Sequence, residues 1–279
     1  MNPRSIYDLT SPDVADLIER SGMAVIPFGS TEQHGPHLPC GTDAIAGEVV
    51  AEAVAERLDA LYVPFGPYGV TPIHAGHPGT ISLRRSTFEA LLTDICEELV
   101  AMGVNRFVFV NWHEGNIASM DSIATDIQDR HPGVYVVTAH SCYTAQRVYA
   151  SQGGELTHGG GIEAIAVMAR DPDLVHIELA GDATRPDHAI ALDAMRRGKE
   201  TYGYITEVTE IDADGWYGNP GGPPTSWPPV SPPPLPATWP SGWPTSSRSG
   251  CANRDGGDGR RDPVRRPARS AGGRPVARR

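Results

Sequence analysis

An α/β sandwich, three layers deep with a mainly parallel central sheet, is the fold this sequence predicts, and three observations predict it. Up to about Gly222, apolar runs of strand length alternate with amphipathic segments. Arg106 to Val110 (RFVFV) is an apolar run of the kind that a central strand covered by helices on both faces requires. Polar clusters follow the apolar runs, and in open parallel sheets ligands collect beyond the carboxyl ends of the strands.

Each element has its own signal. Ser11-Pro12 caps and opens a first helix, with Val14, Leu17 and Ile18 at helical spacing, and Met23 to Phe28 reads as a buried strand. After a polar loop, Ala44 to Leu58 has helix composition and Leu61 to Phe65 strand composition. Ser86-Thr87-Phe88-Glu89 reads as a capping box for a helix running to about Met102, where Gly103 ends it. The RFVFV strand leads into the loop Asn111-Trp112-His113-Glu114-Gly115-Asn116. A helix from Ile117 to Arg130 and a strand from Val134 to Ala139 follow.

Composition divides the chain at about residue 222. The net charge of -11 splits into -18 for residues 1 to 222 and +7 for residues 223 to 279, where 10 Arg and 3 Asp carry the charge. The acidic body argues against a nucleic-acid partner. Half of the 26 prolines fall after residue 222. A segment of that composition supports neither helix nor ladder, so residues 223–279 are expected to be disordered beside a single domain over 1–222. No apolar run approaches the length of a membrane span, and the start lacks the apolar core of a signal peptide, which makes a cytoplasmic protein the expectation. The four cysteines lack CxxC spacing, so neither disulfides nor a zinc finger is expected.

Three polar loops carry residues suited to a hydrolytic metal site, which needs converging carboxylate and imidazole ligands and one position open to water. The first offers Glu32, His34, His37 and Asp43. Residues two apart, such as Glu32 and His34, face the same side of an extended segment, and the turn at Pro39 and Gly41 lets Asp43 fold back beside them. A carboxylate can bridge two ions about 3.5 to 4 Å apart. The second loop offers His113 and Glu114. The third, Thr157 to Glu163, places His158 and Glu163 around a glycine run. A mixed oxygen and nitrogen set suits Zn, Mn or Fe better than Ca or Mg. Simpler readings stand beside these: a lone Glu-x-His is common, Asp43 is a natural N-cap, and Glu163 is an acid favoured in a first helical turn.

The motifs GSTEQHGPHLPCGTD, HPGTISL, NWHEGN and HGGGIEA, over roughly residues 20 to 222, resemble in order and spacing the creatininase family of metal-dependent amidohydrolases. The resemblance implies two divalent ions per chain, Zn, Mn or Fe, held by Glu32, His34, Asp43 as the bridge, His113 and a further Glu. It also implies that hydroxide between the ions attacks a carbonyl, and that His158 assists proton transfer to the leaving nitrogen. Most members read Asn-Gly-His-Gly-Gly-Asn in the second loop and take the fifth ligand from the third motif, here Glu163. Creatininase itself uses a Glu two residues after the loop His, a position that is Gly115 here, so Glu114 stays as a rival ligand or a substrate contact.

His74, His77 and Trp112, with Tyr143 and Gln146 behind them, are candidates to line the pocket. The third motif departs from the family's His-Ala-Gly-x-x-Glu-Thr-Ser after its Glu, which weakens any claim to creatinine. Gly215-Trp-Tyr-Gly-Asn-Pro220 resembles a late family turn after which a last helix packs, and the tail that follows instead is what a shifted reading frame would yield. The expectation is a hydrolase of a small amide, cyclic or open, acting outside ordinary peptide bonds, in a homo-oligomer, a hexamer by resemblance. Two other readings compete with it: a peptide-maturation hydrolase of the mycofactocin type, and a non-enzymatic scaffold whose tail binds a partner.

Overall fold

Four parallel strands, β1 (Met23–Phe28), β2 (Leu61–Tyr62), β3 (Arg106–Asn111) and β4 (Tyr135–His140), form one sheet in the order β2-β1-β3-β4. They belong to a computed structural model that describes residues 4–152, 155–181, 187–196 and 207–218. All of these fall in the compact unit Met1–Leu235, and the tail expected to be disordered from residue 223 lies outside the described residues.

The helices are α1 (Ser11–Ser21), α2 (Thr42–Leu58), α3 (Arg85–Ala101), α4 (Ile117–Arg130), α5 (Ser141–Tyr149), α6 (Gly161–Met168) and α7 (Asp187–Arg196). Because side chains alternate along a strand, β1 and β3 feed two cores at once. Ala24, Ile26 and Phe28 with Phe107 and Phe109 pack against Leu17 and Ile18 of α1, Phe88 and Leu92 of α3 and Met120 and Ile123 of α4. Met23, Val25, Val108 and Val110 face the other way, onto Ala51, Val54 and Ala55 of α2. Trp112, Cys142, Leu156, Ile162 and Ala166 extend that second layer through α5 and α6. The result is the expected α/β/α sandwich. No helix among the described residues is long and apolar enough to cross a membrane, and Cys40, Cys96 and Cys142 are free thiols.

Three local expectations fail. Ser86-x-x-Glu89 is not a capping box: α3 starts two residues earlier, its cap is Arg84 without a side-chain hydrogen bond, and Glu89 instead accepts from Ser119 Oγ at 2.8 Å. The first helix does have a box, one residue before the expected Ser11 cap, where the Thr10 backbone N–H donates to Asp13 Oδ2 at 3.2 Å. The second strand stops at Tyr62. Val63 still donates to Val25 O at 2.9 Å, but Pro64 has no N–H with which to extend the ladder.

The strand order creates a switch point. The chain leaves β1 through α2 on one face and leaves β3 through α4 on the other, so the loops after these two neighbouring strands diverge and open a crevice at their carboxyl ends.

Candidate metal centre

The loops from β1 and β3 meet in this crevice with the loop before α6. A cavity of about 260 Å³ lies there, and Glu32, Asp43, His74, His113, His158 and Glu163 are among its lining residues. Asp43, in the first turn of α2, stands at the middle. Its Oδ1 is 3.3 Å from His34 Nε2 and its Oδ2 is 2.8 Å from His113 Nδ1, so each carboxylate oxygen faces a different imidazole. Glu32 Oε1 lies 3.5 Å from His113 Nδ1, and Glu163 Oε2 lies 3.6 Å from His34 Nε2. Two groups of potential ligands therefore share Asp43.

Partners outside the cluster aim these side chains. His34 Nδ1 donates to the carbonyl of Glu32 at 3.0 Å, and His113 Nε2 to the carbonyl of Val70 at 3.1 Å. In both rings the other nitrogen is left facing the carboxylates, the arrangement in which an imidazole coordinates a metal. Ser30 Oγ donates to Asp43 Oδ2 at 3.0 Å, and the Gly159 N–H donates to Glu163 Oε2 at 2.6 Å. Asn116, fully buried, ties the loops together by donating to Gly29 O at 2.9 Å and accepting from Val70 N at 2.9 Å.

The electrostatics describe a cluster short of positive charge. Burial alone lowers the basicity of His34, but Asp43, Glu163 and Glu32 overcome it and raise this imidazole to about 10. His113 follows the same pattern, raised to about 9 by Glu32 and Asp43 against burial. Burial pushes Glu163 up to about 8, whereas the two imidazoles hold Asp43 well below the usual carboxylate range despite its burial. Three buried carboxylates thus retain protons nearby to offset their charge. Glu32 Oε2 and His34 Nε2 are buried without a hydrogen-bond partner. Divalent cations satisfy both needs, so the donor set fits the metals expected of it.

The remaining candidates divide. His158 and His74 both reach the cluster, with His158 Nδ1 at 3.7 Å and His74 Nε2 at 3.6 Å from Glu32 Oε1. Burial and the neighbouring imidazoles of His34 and His74 lower the basicity of His158 well below its usual value. Trp112 and Glu114 line the cavity, but Glu114 belongs to none of the close ligand groups among the described residues. A Cβ at Gly115 would stand 2.1 Å from Val70 O, so no longer side chain fits at this position. His37 is buried away from the cluster, donating to Gly159 O at 2.7 Å and packing on Trp216. His77, Tyr143 and Gln146 do not line the cavity, which corrects their expected placement. Tyr143 is 37% exposed, and His77 turns to the His74 carbonyl.

Sequence reading missed Ser30, Gln33 and Asn116 as parts of the site, and also its far wall of Val208, Ile211 and Tyr217. The late Gly-Trp-Tyr-Gly turn was the one available signal for that wall: Tyr217 N donates to His158 O at 2.8 Å and Tyr217 OH to Asp193 at 3.0 Å.

The family model described as creatinine amidohydrolase (creatininase) matches residues 7–223. A mycofactocin precursor peptide peptidase of Mycolicibacterium smegmatis is 43% identical over 105 residues, 35% of this chain and 42% of the relative. This chain thus spans less than half the length of that relative. A protein of the same description from Mycobacterium tuberculosis (strain CDC 1551 / Oshkosh) is 31% identical over 203 residues, 69% of this chain and 76% of the relative. A crystal structure of creatinine amidohydrolase superposes with a TM-score of 0.62 at 25% identity, covering 78% of this chain and 88% of the other. Solved creatininases of the same fold include a Zn–Zn type and an Mn form.

Proposed function

This chain belongs to the creatininase family of hydrolases, and from that premise we propose that it hydrolyses the carbon–nitrogen bond of a small amide, cyclic or open, at a two-ion centre. The observation that carries the proposal is Asp43, whose two buried oxygens face His34 on one side and His113 on the other. In this reading Glu32 and His113 would hold one ion and His34 and Glu163 the other, with Asp43 as the residue common to both groups. When bound, zinc, manganese or iron supplies a Lewis acid for the carbonyl and brings the pKa of water toward neutrality.

The chain's own groups do the rest. His158 presents Nδ1 to the cavity from a ring anchored by the Gln33 carbonyl, accepts a proton there and returns it to the departing nitrogen. Its lowered basicity keeps the resting ring neutral and makes the protonated ring a strong donor to the departing nitrogen. Trp112, Val70 and Leu156 form apolar wall that limits water.

A second reading has support of its own: the two mycobacterial relatives are described as acting on a precursor peptide, and the same centre would then cut a peptide bond. Purified protein, stripped with a chelator and reloaded with Zn or Mn, is to be assayed on cyclic ureides, formamides and short peptides. Turnover of the first two supports a small amide, and turnover of peptides alone moves the assignment to the second reading. Less than one ion bound per chain, with no activity on adding either metal, refutes both readings and leaves the non-enzymatic scaffold. The closed homo-oligomer, a hexamer, belongs to the same proposal; light scattering that finds a monomer refutes it.

A further inference from the structure

Gln33 sits between the two histidines that approach Glu32 from the cavity side. The orientation of its buried amide is fixed from both ends. The Gly35 backbone N–H, which only donates, meets Oε1 at 3.0 Å, and the Gly215 carbonyl, which only accepts, takes a hydrogen from Nε2. Nε2 also lies 3.3 Å from His74 Nδ1 and 3.4 Å from His158 Nε2; the latter nitrogen carries the proton it gives to the Gln33 carbonyl and cannot accept, so the second amide hydrogen goes to His74 Nδ1. An amide nitrogen has no lone pair to offer, so His74 Nδ1 is the acceptor and the ring proton is on Nε2. That Nε2 is the atom 3.6 Å from Glu32 Oε1. The backbone carbonyl of Gln33 accepts from His158 Nε2 at 2.7 Å, which leaves His158 Nδ1 bare. The two rings stack at 4.2 Å with 29° between their planes, so a donor and an acceptor stand side by side over one carboxylate oxygen.

We infer that Gln33 is a positioning residue that fixes both tautomers, so that His74 faces the cavity as a neutral N–H donor to the substrate's carbonyl oxygen and not as a metal ligand. Glu32, His74 and His158 have ligand atoms within 4.8 Å of one another, close enough to suggest a third ion position. A nitrogen that carries its proton cannot coordinate a cation, and the Gln33 amide keeps the proton on His74 Nε2. The hydrogen bond to a carbonyl oxygen remains, and it strengthens as charge develops there in the transition state. The identity of the acceptor rests on the proposed amide hydrolysis; the tautomers do not.

The full-length chain, labelled with ¹⁵N at histidine and loaded with zinc, is to be examined by long-range ¹H–¹⁵N NMR, with His74→Gln and His158→Gln used for assignment. Both rings are expected as Nε2–H tautomers. His74 as the Nδ1–H tautomer, or shifted by zinc at Nε2, overturns the inference. In Gln33→Leu, which keeps the carbonyl but removes the amide, His74 is expected to become a tautomer mixture while His158 is unchanged; an unchanged His74 removes Gln33 from the role. If that variant does not fold, the wild-type spectrum still decides.

His74→Leu is expected to keep its zinc and lose about 10²-fold in kcat, and His74→Gln, which restores an N–H donor, to recover about tenfold or more of that. Loss of zinc in His74→Leu overturns the assignment as a donor. A wild-type chain that binds no zinc counts against the proposed function, whereas its His74 tautomer, read without metal, still decides for or against the role of Gln33.

Discussion

Asp43 is buried with a different imidazole on each oxygen, so its removal disconnects both halves of the cluster at once. Asp43→Ala is expected to lose both ions, measured as metal content after dialysis against Zn or Mn, whereas His158→Ala keeps the ions and loses turnover. Full metal content in Asp43→Ala removes the bridge from the proposal. The fifth ligand separates by a similar pair: Glu163→Gln is expected to weaken metal affinity on the order of 10-fold or more, and Glu114→Gln to leave it unchanged. A reversed order in a competitive chelator titration hands the ligand role to Glu114. At this scale the meeting of Glu32, Asp43, His113 and Glu163 was legible, because acids and histidines recur in three polar loops, although only two of these, after β1 and β3, leave a strand and the third lies between α5 and α6. Ser30, Gln33 and Asn116 were not, because they act on backbone groups and rings that become neighbours only after the loops have met.

The elements succeed in proportion to how strongly burial dictates them. β1, with all six residues buried, was legible residue for residue, as was α4 with its spaced apolar positions. The start of α3 was not, since a Ser-x-x-Glu pattern specifies a cap only when the backbone turns there, and here it turns at Arg84. Packing between elements makes one further prediction. A Cβ on Gly29, at the exit of β1, would stand 2.4 Å from the backbone of Asp43 and Ala44 in α2. Gly29→Ala is therefore expected to cost about 1 to 3 kcal/mol or more, read from denaturant melts, and to displace Asp43 enough to lower metal content. A variant as stable as the parent contradicts the tight strand-to-helix contact that sets the site.

For the whole molecule, the division into a domain over 1–222 and a tail from 223 rests on composition, and proteolysis of the full chain tests it. Trypsin is expected to remove the Arg-rich end at Arg sites from Arg248 onward long before it cuts between residues 4 and 152, as seen by mass spectrometry of timed digests. Equal rates at both ends contradict the division. The α/β/α layering was legible in the alternation of apolar and amphipathic segments. The switch point was not, because the order of strands depends on which side of β1 the third strand joins, a choice made by long-range pairing that leaves no local trace.

That pairing also sets when the centre can come into being. β1 and β3 are joined residue for residue from Met23 with Arg106 to Phe28 with Asn111, across a long stretch of intervening chain. Closing such a separation is slow, and until it closes His113 has no fixed relation to Glu32, His34 or Asp43. Under the proposed function, ions would therefore arrive at a fold already made and act as its clasp. Added zinc is expected to slow unfolding in proportion to its occupancy while leaving the refolding rate unchanged, which stopped-flow kinetics with and without metal will show. A chelator in the surroundings would then shorten the lifetime of the folded chain without hindering its formation.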